Sequence, residues 1–343
     1  MSSSHLAGLA SACAVVLISA GAALAQSGPV NARPDLQGFW TNQSVTKLER
    51  PQGATQLIVT EAEAVELERR NVWNRQYQAQ SGIVDVNTPP EAGAAEFATQ
   101  GYNAFWIDPG RRLASVRGGY RTSMIIDPPA GTIPWKPNGR ALIQQQSGKP
   151  PVGRFDGIET RPLAERCLMS FSNAGGPVML NGLYNNTYQF VQAPDHVMIL
   201  VEMNHDARII PTFASRKEAL ASRRPEAIQP WMGESVGWYE DGALLVETVN
   251  PNPWQRAMIT RTGKLTERFT RWSQDQILYE FTVEDPTLYT QPWKGEMSFT
   301  TSKEPLYEYA CHEGNHAMHG ILAGARELEA QGRNPGSNSE VER

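Results

Sequence analysis

The chain has 343 residues and a formal net charge of −5, with acidic and basic residues interspersed. No basic block offers a footprint for nucleic acid, and no acidic run forms a solvating tail. Nine Trp and 24 Pro fit an ordered, loop-rich β protein better than a helical bundle.

The chain opens on "MSSSHLAGLASACAVVLISAGAALAQ", which ends in Ala23-Leu24-Ala25. That pattern predicts a signal peptide, residues 1–25, and a mature chain that is periplasmic or secreted. No Lys or Arg precedes the apolar run, so an uncleaved anchor is the alternative. Its content of Ser, Gly and Ala and its missing basic flank argue against an anchor. No later stretch is apolar enough to cross a bilayer, so no stable membrane insertion is expected after cleavage.

"DLQGFWTN" (35–42) predicts a first short strand. "TEAEAVELERRNVWNRQYQ" (60–78) predicts a helix, because Thr60 and Glu63 have capping-box spacing and Ala62, Val65, Val72 and Trp73 supply an apolar side. "RTSMIIDPPAG" contains a Met-Ile-Ile strand that Pro128 and Pro129 must end or place at an edge. Residues 134–162 are rich in Pro, Gly and Gln and predict a long surface loop with one short helix near 141–145.

Hairpin signals fill the second half. One turn falls at Pro194-Asp195-His196, one at Asp241-Gly242 and one near Gln274-Asp275. After the last of these, Ile277, Tyr279, Phe281 and Val283 alternate with Leu278, Glu280 and Thr282, the period of a strand. "WKGEMSFTT" adds a strand, Leu306 to Ala310 alternates like another, and "GILAGARELEAQ" predicts a C-terminal helix. The expected fold is mainly β: an antiparallel, lipocalin-like β-barrel with an early and a late helix. It forms a single domain over 26–332, followed by a disordered tail over 333–343. A barrel of about eight strands encloses room for one small ligand.

Removing the signal leaves Cys167 and Cys311. In an exported chain a lone pair is most simply a disulfide. The alternative, a Cys nucleophile beside a His, is opposed by an oxidising compartment. A bridge over so long a loop contributes up to about 5 kcal/mol in the chain-entropy model.

"CHEGNHAMHG" (311–320) spells H-E-x-x-H. The zinc-hydrolase reading needs His312 and His316 one helical turn apart, Glu313 as general base and a further ligand such as His319. Gly314 inside the motif and the strand-like residues before it oppose such a helix. "EMNHDARIIP" (202–211) sets His205, Asp206 and Arg208 at the end of an apolar strand. If the cysteines are bridged, Glu165, Arg166, His312 and Glu313 share one region. His312 and His205 are then candidate proton-transfer groups, Glu313 and Asp206 candidate orienting carboxylates, and Arg208 a candidate oxyanion partner. No G-x-S-x-G elbow, Walker loop, G-x-G-x-x-G fingerprint or C-x-x-C occurs, so no cofactor is expected.

Together "MIIDPPAG", "ERCLM", "QAPDHVMILVEMNHDARIIP", "LTERFTR", "TVEDPTLYTQPW" and "YEYACHEGN" resemble a widespread family of secreted bacterial proteins of no assigned activity. The resemblance spans roughly 35–326. It implies one structural unit in which the Cys, His-Asp and Cys-His-Glu motifs belong together, and it implies no reaction. An aromatic residue usually occupies the position of His316 in that pattern, which counts against zinc. A separate resemblance to lipocalins rests on Gly38-x-Trp40 and the hairpin series. The leading expectation is an exported enzyme acting on a small, partly hydrophobic molecule by acid–base chemistry, as an isomerase, lyase or hydrolase. A non-catalytic small-ligand-binding protein is the rival, and a zinc hydrolase the third reading.

Overall fold

The computed structural model describes residues 33–75, 109–146, 155–170, 176, 178–255 and 258–335. The signal segment, the middle of the Pro/Gly-rich loop (147–154) and the end of the tail (336–343) lie outside the described residues. The strands are β1 (Gly38–Thr41), β2 (Ile58–Val59), β3 (Ser115–Val116), β4 (Gly119–Arg121), β5 (Ile125–Asp127), β6 (Thr187–Gln192), β7 (His196–Val201), β8 (Ala207–Phe213), β9 (Glu234–Glu240), β10 (Ala243–Val249), β11 (Lys264–Ser273), β12 (Gln276–Glu284) and β13 (Trp293–Thr301). Helices α1 (Glu61–Arg70), α2 (Gly139–Gln146), α3 (Arg216–Ala221) and α4 (His316–Ala330) are added to them.

Strand β1 and strands β6 to β13 pair in sequence order, and β1 pairs again with β13, so the sheet closes into a barrel. Strand β5 extends from β13 as a short edge. The ring differs from the expected all-antiparallel one, because β8 and β9 run parallel, with Thr212 opposite Gly237 and Phe213 opposite Trp238. An odd ring of nine strands cannot alternate direction all the way round, so one pair must be parallel. The connection carrying α3 supplies the crossover that a parallel pair requires. The lipocalin likeness still rests on Gly38-x-Trp40 and the hairpin series.

Local chemistry explains most of these elements. Asp241 and Gly242 both take positive φ (50° and 68°), the backbone of a tight hairpin between β9 and β10. Thr60 and Glu63 form the capping box, with Thr60 N–H donating to Glu63 Oε2 at 2.8 Å. Helix α1 ends at Arg70, earlier than its pattern suggested, because Asn71 turns extended. Residues 306–310 fall outside any strand, and α4 starts at His316 rather than Gly320.

Alternation along the strands points Tyr188, Phe190, Phe269, Tyr279, Phe281 and Phe299 into one buried cluster, most in edge contacts at 5.0–5.8 Å. The lumen therefore carries packed side chains. It also carries a salt bridge: Arg208 holds Glu267 through two bonds, 2.9 and 2.5 Å, and the Tyr279 hydroxyl donates to Glu267 Oε1 at 2.7 Å. Outside, the small sheet β2-β4-β3 covers β12 and β13, where Arg121 and Arg117 both pair with buried Glu296 at 2.6 Å. Among the described residues no helix is long and apolar enough to cross a membrane.

Candidate functional site

The site is built where the chain leaves the barrel. After β13, Ser302 N–H still donates to the Phe39 carbonyl of β1 (2.9 Å), and an arm of irregular chain runs from there to Asn315. Cys311 of this arm is disulfide-bonded to Cys167, with Cα atoms 5.7 Å apart. Asn315 Nδ2 donates to the Glu165 carbonyl at 3.3 Å and reinforces the staple.

Beneath the arm lies the corner between β7 and β8. A short 3₁₀ turn, Met203–His205, holds Asn204 and His205 at positive φ (59° and 46°), uncommon for residues other than glycine. The corner buries Met203, Asn204 and Asp206 and leaves His205 exposed.

Two hollows adjoin along the arm. The smaller, about 250 Å³, is bordered by Leu200, Glu202, His205, Tyr307, His312 and Glu313. The larger is an open groove of about 1120 Å³, walled by Glu165, Tyr184, Glu202, Glu304, Tyr309 and Met318 among others. Both touch Glu202, Glu308 and Glu313. Thr41 and Thr187, which border the groove, alternate with inward-facing Trp40 and Tyr188. The groove therefore lies on the outer rim and not in the lumen; a central or mouth-side pocket was expected.

Burial tunes several of these groups. It pushes the Tyr184 hydroxyl up to about 12, helped by its hydrogen bond to Tyr309. Tyr309 is raised mainly by burial, against that same bond. Burial also raises the Asp206 carboxyl, although Ser170 N–H (3.1 Å) and Asn204 Nδ2 (3.2 Å) donate to it.

The residues singled out in the sequence separate into two groups. His205, His312 and Glu313 border the smaller hollow together. Glu165 joins Glu313 on the groove wall, but its carboxylate is held by Arg161 at 2.6 Å. Asp206 does not orient His205: its oxygens are engaged beneath the corner. Arg208 is two positions further along the same inward-facing side, so it enters the lumen and binds Glu267 instead of an oxyanion at the rim. Arg166 turns to the Glu159 carbonyl.

The metal geometry does not form. His312 precedes α4 and is separated from His316 by Gly314 at φ 68°, so the two are not one turn apart on a helix. Among the described residues no three His, Cys, Asp or Glu side chains group to hold a metal ion.

Sequence reasoning missed Glu202, Tyr184 and Tyr309. Glu202 and Tyr309 lie in "EMNHD" and "YEYACHEGN", whose histidines and cysteine carry the stronger chemical signal. Tyr184 sits in "LNGLYNNTYQF", which has no local signal beyond turn residues. Comparison with protein-family models, with curated proteins and with solved structures found no match to this chain.

Proposed function

We propose that the chain is an exported small-molecule-binding protein whose site is the stapled rim groove and its adjoining hollow. One observation supports this above others: a groove of about 1120 Å³ assembled from segments far apart in sequence and locked by a disulfide. Small-ligand sites have volumes of this order, with a few polar groups converging on apolar and aromatic walls. The disulfide is compatible with export to an oxidising compartment. A thermal-shift panel of small molecules tests the reading, with each binder retested on Tyr309→Ala and Glu313→Gln. Binders that are indifferent to both substitutions would sink it.

Acid–base catalysis in the same place is a second reading, favoured by His205 and His312 bordering one hollow with Glu202, Glu308 and Glu313. Imidazoles beside carboxylates move protons near neutral pH. In this version Asp206 and Arg208 have no part. His205→Ala and His312→Ala should then abolish turnover of a bound compound, read by mass spectrometry, while binding persists. Neither reading invokes a cofactor.

A further inference from the structure

We infer that the rim groove selects organic cations, meaning amines or quaternary ammonium compounds with an apolar or aromatic body. This rests on the groove being a small-molecule site and adds the charge of its occupant. The charged side chains bordering the groove are Glu165, Glu202, Glu304, Glu308 and Glu313, with no Lys or Arg among the described residues of its walls. Arg161 neutralises Glu165. The other four form no salt bridge among the described residues.

Exposed glutamates alone would be a solvated face, and Glu304, Glu308 and Glu313 are exposed. Glu202 is different. It is 6% exposed, its side chain accepts a bond from Thr187 N–H at 3.1 Å, and no Lys or Arg pairs with it among the described residues, although His205 and His312 border the same smaller hollow. A buried carboxylate without a counter-charge is costly, and the cost falls when a cation arrives. Glu202 borders both hollows, so an occupant of either reaches it.

The remaining walls suit the same class. Tyr184, Tyr307 and Tyr309 line the groove, and aromatic rings attract ammonium groups through their quadrupoles. Met318 and Ile321 of α4 give apolar surface for the body of the molecule. An inorganic metal ion fits poorly, because the carboxylates are too dispersed to form a three-ligand group among the described residues. A molecule that spreads its contacts matches that dispersal.

Isothermal titration calorimetry on the mature chain, with its disulfide intact, tests this using benzyltrimethylammonium, benzyl alcohol and phenylacetate. These probes share an aromatic body and differ in charge. The cation should bind tightest, and Glu202→Gln should weaken it by about tenfold, the loss expected for a charge-assisted contact. The double variant Glu308→Gln/Glu313→Gln, both exposed and in no salt bridge among the described residues, should weaken it by about threefold. If the neutral or anionic probe binds as well as the cation and Tyr309→Ala abolishes that binding, the groove is a site but the charge assignment is wrong. If no probe binds in a way that Tyr309→Ala or the glutamate variants alter, the site itself fails, and this inference with it.

Discussion

Cys167 and Cys311 are bonded across 144 residues of sequence, and the bond sets Glu165 and Glu313 on the walls of one groove. Its partners are not two barrel strands. One cysteine lies in the turns before β6 and the other in the arm after β13, so the bond fastens the rim and leaves the ring of strands to its own ladders.

The consequence is separable in solution. Cys311→Ser should lower stability by about 2–5 kcal/mol, since loops this long lie at the upper end of the chain-entropy range. The barrel should still fold. Urea titration followed by far-ultraviolet circular dichroism measures the loss. Limited proteolysis should then cut first within 302–315. An unchanged cleavage pattern would show that the arm is held by packing and not by the staple.

The lumen pair gives a second test. Arg208 and Glu267 are almost fully buried and bound through two contacts. Removing one charge leaves the other buried and unpaired, which costs about 3–5 kcal/mol. Arg208→Met alone should therefore be strongly destabilising. The double variant Arg208→Met/Glu267→Leu should recover much of the loss, and denaturation midpoints for the four proteins complete the cycle.

Asp206 supplies a pH signature. Burial raises its native pKa, so the folded chain keeps a proton that the unfolded chain has lost. The native state binds more protons, and the stability this group contributes falls as pH rises. That contribution is complete below the unfolded carboxyl value of about 3.9 and is gone once pH passes the raised native value. Asp206→Asn, which cannot ionise, should remove this decline. Midpoints of wild type and variant, measured from pH 3 to 7, should converge at the acid end and separate in favour of the variant above it. Parallel curves across the range would contradict the raised value.

How far the sequence anticipates the molecule depends on the range of the interaction. Local backbone rules place the Asp241-Gly242 turn, the alternation of Ile277 to Val283 and the Thr60 cap, because each depends on neighbours in the chain. The parallel β8–β9 pair escapes, since it follows from the parity of a closed ring that no single segment encodes. The candidate site divides in the same way. The cysteine pair ties the arm that carries His312 and Glu313 to the rim, where both border one hollow with His205. The fate of Asp206 and Arg208 turned on which side of β8 faces the lumen. Both have even numbers and share the inward side with Ile210, while His205 and Ala207 face out. Ile209 and Ile210 are both apolar, so no pattern in the sequence says which side of β8 faces in.

Phe281 and Gly295 stand opposite each other on β12 and β13, and they give the most local of the tests. Phe281 is buried in the lumen cluster, edge-on to Trp293 with centroids 5.8 Å apart. The aromatic ring lies over the glycine so closely that a Cβ at 295 would come within 2.2 Å of Phe281 Cζ. Overpacking of this kind costs about 1–3 kcal/mol when side chains must leave their rotamers. Gly295→Ala should cost that much, and Gly295→Ala/Phe281→Leu should restore part of it by vacating the space. Gly242→Ala is the contrasting control. A Cβ there meets nothing within 4 Å, so the expected loss is only the backbone strain of a φ of 68°, about 1 kcal/mol. The two glycines therefore differ in cause, one steric and one conformational. A compensating change at Phe281 that rescued neither Gly295→Ala nor the ring packing seen by near-ultraviolet dichroism would show that the pair is not in contact.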